Sequence, residues 1–143
     1  MDKDLQSVQE VRDLIKQAKQ AQKALAAMNQ QQIDRIVEAV AREGAKHARR
    51  LAEMAVEETG FGIAEHKEIK NRFSTTAVYE AIKDLKTIGI LAEDTQRKTV
   101  DIGVPVGIVA GLVPSTNPTS TIFYKSMVLL IRTATSRICF CGT

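Results

Sequence analysis

Between Val113 and Ser126 the chain reads VPSTNPTSTIFYKS, and this stretch holds the side chains best suited to chemistry. Pro114, Ser115, Thr116, Asn117, Pro118, Thr119 and Ser120 follow one another without a break. The two prolines fix φ and remove two backbone donors, so the loop between them has few shapes open to it. Inside it Asn117 offers an amide NH2 and Thr116 a hydroxyl, both neutral donors. Neutral donors on a stiff loop suit the developing charge of a tetrahedral oxygen, as in an oxyanion hole. The same residues also serve plain structure. Ser, Thr and Asn beside Pro are turn and N-cap residues, and Thr119 or Ser120 could simply cap the helix that follows.

Other residues of chemical type are less well placed. His47 lies among Lys46, Arg49 and Arg50, and His66 sits in "EHKE". Neither has a cysteine or second histidine at metal-ligand spacing, so both read as solvated surface. Glu57 and Glu58 are adjacent and diverge on a helix surface, which makes them a poor acid–base pair. Cys139 and Cys141 are the chain's two cysteines. A pair this close is no disulfide framework, and a lone C-x-C is a poor zinc site.

Composition excludes further classes. Hydrophobic residues make up 44% of the 143 positions and charged residues 26%, ordinary values for a globular chain. A net charge of +3 is too small to imply nucleic acid, and at 4% aromatics without tryptophan a base-stacking surface is not expected. The polar start MDKDLQSVQE is not a secretory signal. The apolar run from Ile102 to Val113 is too short for a bilayer and is interrupted by Pro105 and glycines. A reducing cytoplasm is the expected location, without membrane or nucleic-acid partner.

The elements that must position the loop follow from periodicity. Leu5, Val8, Val11, Ile15, Ala18 and Leu25 recur at helical spacing opposite a Lys-, Gln- and Glu-rich face. That stripe is expected to pack on a core or a partner subunit, with a membrane-surface or encapsulation helix as the other reading. Asn29 and Gln32 form a capping-box variant ahead of Ile33, Ile36, Val37 and Val40. Gly44 predicts a break, followed by a helix carrying Ala48, Leu51, Ala52 and Ala55. Gly60 and Gly62 end it as C-cap and turn residues. A third helical stretch spans about 64–86, and the "STT" inside it predicts a bend or break. Beyond "LAEDTQRK" the period changes: Thr99 to Ile102 alternates like a half-exposed strand. Ile108 to Val113 reads like a strand that parallel sheets bury on both faces. A helix from about Thr119 carries Ile122, Phe123, Met127 and Leu130. Strand, loop and helix in this order look like the first βα unit of a dinucleotide-binding sheet, although no G-x-G-x-x-G is present.

Two blocks carry a resemblance. MAVEETGFGIAEHKEIKN (Met54 to Asn71) and VPVGIVAGLVPSTNPTSTIFYKS (Val104 to Ser126) closely resemble the CoA-acylating aldehyde dehydrogenases. These include the aldehyde half of bifunctional aldehyde–alcohol dehydrogenases and enzymes of bacterial microcompartments. The resemblance covers roughly Leu5 to Leu130. It implies an α/β fold of aldehyde dehydrogenase type: a helical N-terminal region, then the first strand–loop–helix of a Rossmann-like NAD-binding domain, here incomplete. It implies a reaction in which an aldehyde joins a cysteine thiolate, hydride passes to NAD, and coenzyme A takes the acyl group. Acetaldehyde is the family's commonest substrate. The implied location is cytoplasmic, with microcompartment association as a variant, and the implied assembly is a homo- or hetero-oligomer.

In the wider superfamily the corresponding loop is P-W-N-F-P, whose Asn donates to the oxyanion. Here Asn117 lies one place later and Thr116 takes the superfamily position, so Asn117 is the oxyanion candidate and Thr116 its competitor. Val113, Pro114 and Ser115 are the implied cofactor contacts. The family's catalytic cysteine lies in a segment that this sequence does not contain, and neither Cys139 nor Cys141 matches its motif. The resemblance divides the chain into 1–130, the N-terminal part of the NAD-binding domain, and 131–143, a divergent tail with hints of likeness at Ile138 and Phe140. A frameshift or truncated gene is the expected origin of that tail. The expectation is an inactive fragment with one face of its buried-type strand uncovered. The rival is a non-catalytic helical scaffold that associates with full-length subunits.

Overall fold

A computed structural model describes residues 2–104, 106–132 and 138–142. The fold is mixed, mostly helical with a few strands. Helix α1 (Lys3–Ala26) leads into α2 (Gln30–Lys46), α3 (Ala48–Thr59) and α4 (Ala64–Arg72). A π-helical turn over Phe73–Ala77 joins α4 to α5 (Val78–Ile82). Strands β1 (Gly89–Asp94) and β2 (Thr99–Gly103) form an antiparallel hairpin. Strand β3 (Val109–Val113), helix α6 (Pro118–Arg132) and strand β4 (Ile138–Gly142) form a parallel β-α-β unit.

Local chemistry explains most boundaries. The Asn29 side chain accepts from the Gln32 backbone N–H at 3.0 Å, and Gln32 Oε1 accepts from the Asn29 N–H at 2.9 Å. This reciprocal pair starts α2 as the sequence predicts. Gly60, at φ 67°, closes α3 in the left-handed conformation, where a Cβ would be strained. At "STT", where a bend or break was expected, the helix runs on and widens into the π-helical turn. Widening the helix leaves carbonyls without their usual partners, and hydroxyls fill in. Ser74 Oγ and Thr75 Oγ1 donate to Asn71 O at 2.9 and 2.8 Å.

The core lies where α2 meets α6 and the α4–α5 segment. Ile33, Val37 and Ala41 of α2 bury against Met127 of α6, flanked by Val78, Tyr79 and Ile82. Gly44 is not the predicted break; α2 runs through it to Lys46. It is buried because its missing side chain makes room. A Cβ there would stand 2.5 Å from Thr75 Cγ2 and 2.8 Å from the Phe123 ring. Gly44 is therefore a contact point between α2, the π-helical turn and α6.

Strand β1 was not expected, because "LAEDTQRK" has the composition of a linker. Asp94 converts it into a hairpin: Oδ1 accepts from the N–H groups of Gln96 and Arg97 at 3.0 and 2.9 Å. Gln30 Oε1 anchors the approach to β1 by accepting from the N–H groups of Thr87 and Ile88 at 3.0 and 3.1 Å.

Two apolar surfaces remain open. Val113 is 7% exposed but Leu112 is 77% exposed, so one face of β3 is covered and the other is not. Leu5, Val8, Val11, Leu14 and Ile15 of α1 are all exposed, and only Ala18 of that helix is fully buried. The stripe expected to meet a core thus does so over its second half alone. Strand β4 lies in the tail and pairs with β3 from Val109–Ile138 to Val113–Gly142. The part of the tail at 133–137 and 143 falls outside the described residues, as does Pro105.

Replacing Gly44 with alanine should destabilise the chain by about 1–3 kcal/mol, because overpacking outweighs a helix-propensity gain of up to about 1 kcal/mol. Urea unfolding followed by circular dichroism checks this; an unchanged or raised midpoint would refute the close-contact account.

Candidate functional site

The loop begins at the carboxyl end of β3 and closes as a turn, with Asn117 N donating to Pro114 O at 3.2 Å. Thr121 N donates to Asn117 O at 3.3 Å, which makes Asn117 the residue that starts α6. Pro118 takes the first helical position, where its missing N–H costs nothing. The helix thus begins before Thr119 and Ser120, and neither of them caps it. Thr119 Oγ1 instead donates to Asn71 Oδ1 at 2.7 Å.

Helix α4 holds this loop with three residues of one face. Lys67, Lys70 and Asn71 stand at i, i+3 and i+4, the spacing that aligns side chains on a helix. Lys67 is 6% exposed, and its Nζ donates to Thr116 O at 2.9 Å. Lys70 Nζ donates to Asn117 Oδ1 at 2.8 Å. Asn71 is 1% exposed; its Nδ2 donates to Ala48 O at 3.0 Å while its Oδ1 accepts from Thr119. Burying an ammonium and an amide is tolerable only with such partners. None of the three was singled out from sequence, although "KEIKN" closes the first family-like block. The available signal was the K-x-x-K-N spacing on one helix face.

The Asn117 side chain is therefore oriented. An ammonium has only donors, so the amide atom facing Lys70 is the oxygen. Nδ2 points the other way and makes one long contact, 3.4 Å, to Thr116 Oγ1. The first-turn N–H groups of α6 lie at the same end of the loop and carry the positive end of the helix dipole. Here opens a cleft of about 580 Å³, lined by Ile69, Phe73, Val78 and Tyr124 and by polar residues that include Lys70 and Asn117. Ile69 and Phe73 are both 65% exposed and make an apolar wall. A small apolar molecule with one carbonyl oxygen fits such an arrangement: carbon in the cleft, oxygen toward the donors.

The same geometry ties the two candidate donors, Asn117 and Thr116, to each other. The Thr116 carbonyl is engaged by Lys67 and its hydroxyl oxygen by Asn117. Val113 is buried at the strand end, and Pro114 and Ser115 are exposed on the loop, open to a ligand on the sheet's carboxyl edge. Cys139 and Cys141 lie on β4, level with Ala110 and Leu112 of β3. His47 is exposed and 3.9 Å from Glu43, and His66 is exposed on α4. Among the described residues no cluster of His, Cys, Asp and Glu could hold a metal ion.

An ion-pair network fixes α4 against α3. Arg49 bonds Glu53 at 2.6 Å, Glu65 at 3.2 Å and Glu68 at 3.5 Å, and Arg72 bonds Glu68 at 2.8 Å. The hydrogen bonds that Arg49 donates to Glu53 and then to Glu65 push its guanidinium above its ordinary pKa. The Glu65 carboxyl is held below its usual range, first by its own backbone N–H and then by Arg49. These groups are solvent-exposed, so their energetic weight is small; what they set is the helix pairing.

The aldehyde dehydrogenase family profile matches residues 3–135. The chain belongs to the aldehyde dehydrogenase family. It is similar to the bifunctional aldehyde–alcohol dehydrogenase of Escherichia coli K12, 45% identical over 87% of this chain and 14% of that protein. It superposes on an acetylating aldehyde dehydrogenase of Geobacillus thermoglucosidasius with a TM-score of 0.94 and 50% identity, over 99% of this chain and 31% of that one. A probable aldehyde dehydrogenase of Listeria monocytogenes matches at 55% identity and TM-score 0.93, over 100% of this chain and 31% of the other. The chain thus spans less than a third of the length of these aldehyde dehydrogenases. Similarity at these levels places the loop, α4 and α6 in the acylating branch's arrangement.

Two substitutions probe the loop's support. Asn71→Leu removes both buried bonds and leaves Ala48 O and Thr119 Oγ1 without those partners, so stability should fall by about 2–3 kcal/mol, read from the urea midpoint. Lys67→Met keeps the aliphatic stem but releases Thr116 O. Amide exchange at Ser115, Thr116, Asn117 and Thr119 should quicken while α2 stays protected; equal loop protection in the parent and the variant would show that Lys67 does not hold the loop.

Proposed function

We propose that this chain supplies the oxyanion loop and one wall of the aldehyde cleft of an NAD-dependent, CoA-acylating aldehyde dehydrogenase. The substrate class is a short-chain aldehyde such as acetaldehyde, converted reversibly to its acyl-CoA. The observation that carries the reading is the Asn117 amide, turned by Lys70 so that Nδ2 faces away from it beside an apolar cleft. When a nucleophile adds to the carbonyl, negative charge grows on oxygen. Asn117 Nδ2 and the N-terminus of α6 meet it without reorganising, and one such donor is worth roughly 10²–10³ in rate.

Asn117 is the donor in this reading and Thr116 braces it. Val113, Pro114 and Ser115 would lie along NAD, whose chemistry is to accept the hydride. The exposure of Pro114 and Ser115 at the carboxyl edge of β3, just after the buried Val113, fits a ribose-side contact, while the phosphate cradle belongs to other segments. Coenzyme A is the acyl acceptor. Neither Cys139 nor Cys141 serves as nucleophile, since both lie within strand β4 rather than at the loop. The chain by itself is catalytically incomplete. Its working form is an oligomer or a longer polypeptide, cytoplasmic or held in a microcompartment.

Purified protein given acetyl-CoA and NADH should show no acyl-CoA-dependent NADH oxidation above buffer background. Clear turnover would overturn the incompleteness. A second reading rests on the exposed stripe Leu5, Val8, Val11, Leu14 and Ile15 of α1, which are 40–56% exposed. In it the chain is a non-catalytic partner that associates with longer subunits through this stripe.

A further inference from the structure

We propose that Lys70 is a positioning residue that decides which atom of Asn117 meets a carbonyl substrate. The inference rests on the reading of Asn117 as an oxyanion donor and names the device that makes it one. An asparagine amide has two ends of nearly equal shape and opposite hydrogen-bonding sense. Turned one way Asn117 would present an acceptor, which repels a developing oxyanion. Turned the other way it presents a donor. An N-cap asparagine ordinarily uses its oxygen on its own helix, accepting from the second or third N–H. Asn117 starts α6, yet its Oδ1 accepts from Lys70 at 2.8 Å, a bond reaching across 47 positions of sequence.

Lys70 acts in two ways. Its ammonium cannot accept, so only Oδ1 can face it and Nδ2 is forced outward. Its charge also draws electron density toward Oδ1, making the Nδ2 hydrogens better donors, since hydrogen bonds in a chain reinforce one another. Lys67 completes the device from the same helix face. By holding Thr116 O at 2.9 Å it fixes the backbone from which Asn117 projects. Lys67 sets where the amide is and Lys70 sets which way it turns. Lys70 is solvent-exposed and lies outside the core cluster, so replacing it leaves the packing intact.

The chain has asparagine only at positions 29, 71 and 117, so selective ¹⁵N-asparagine labelling gives three side-chain NH2 pairs. Asn117→Ala assigns the relevant pair by its loss, and the buried Asn71 pair serves as an internal standard for the fold. In the unmodified chain the Asn117 pair should show a heteronuclear NOE near that of Asn71. Its protons should show NOEs to Thr116 and weak or absent ones to the Lys70 ε-methylene. In Lys70→Met the Asn117 NOE should fall well below that of Asn71, whose own value stays constant, and Lys70→Arg should restore it. A mobile Asn117 pair in the unmodified chain, an Asn117 signal indifferent to Lys70→Met, or strong NOEs from the NH2 protons to Lys70 would each overturn the proposal. The last of these needs no variant, so a misfolded Lys70→Met chain does not remove the test. Titration with propionamide, an unreactive short carbonyl, reports on the aldehyde reading separately. If no shift appears at an ordered Asn117 pair, that reading fails while the orienting role of Lys70 stands.

Discussion

Asn71 is the point on which the rest of the structure depends. Its side chain is almost wholly buried, and each end of the amide is used once. Nδ2 reaches the Ala48 carbonyl at the start of α3, and Oδ1 takes the Thr119 hydroxyl at the start of α6. Its own backbone oxygen accepts from Ser74 and Thr75, whose hydroxyls support the π-helical turn. One residue therefore ties three helices and a helix irregularity together through groups that cannot be left unpaired away from water. A fully satisfied buried network of this kind specifies one arrangement rather than several.

The neighbouring positions turn that arrangement into a site. Once Asn71 fixes α4 against α6, the residues one and four positions before it are brought to the loop. Lys67 and Lys70 do so through consecutive residues, Thr116 and Asn117. The apolar half of the site has the same origin. Ile69 and Phe73 project from α4 and the π-helical turn, Tyr124 from α6, and the cleft is the space left between those elements. Gly44 permits α6 to come close enough to α2 for this geometry, because the Phe123 ring occupies the volume a side chain would need.

What was legible in the sequence was local. The Asn29–Gln32 capping box, the left-handed Gly60 and the helix irregularity at Ser74–Thr76 each involve residues within a few positions of one another. Their physics is contained in a short window, and the structure reproduces them. The hairpin strand β1 was hidden because its residues neither alternate cleanly nor bury, and its turn depends on one aspartate oxygen. Gly44 was misread because a glycine that ends a helix and one that admits a neighbour look alike without the neighbour.

The sequence by itself determined the type of loop: two prolines, neutral donors, a buried-type strand before it and a helix after it. It also carried the likeness to acylating aldehyde dehydrogenases, since two long blocks of residues are enough for that. Tertiary structure alone decided which end of the Asn117 amide faces Lys70. Asn117 and Lys70 are 47 positions apart, and only the packing of α4 on α6 brings the ammonium to the amide oxygen. Orientation of an amide is set by its partner, and no pattern along the chain names a partner at that distance.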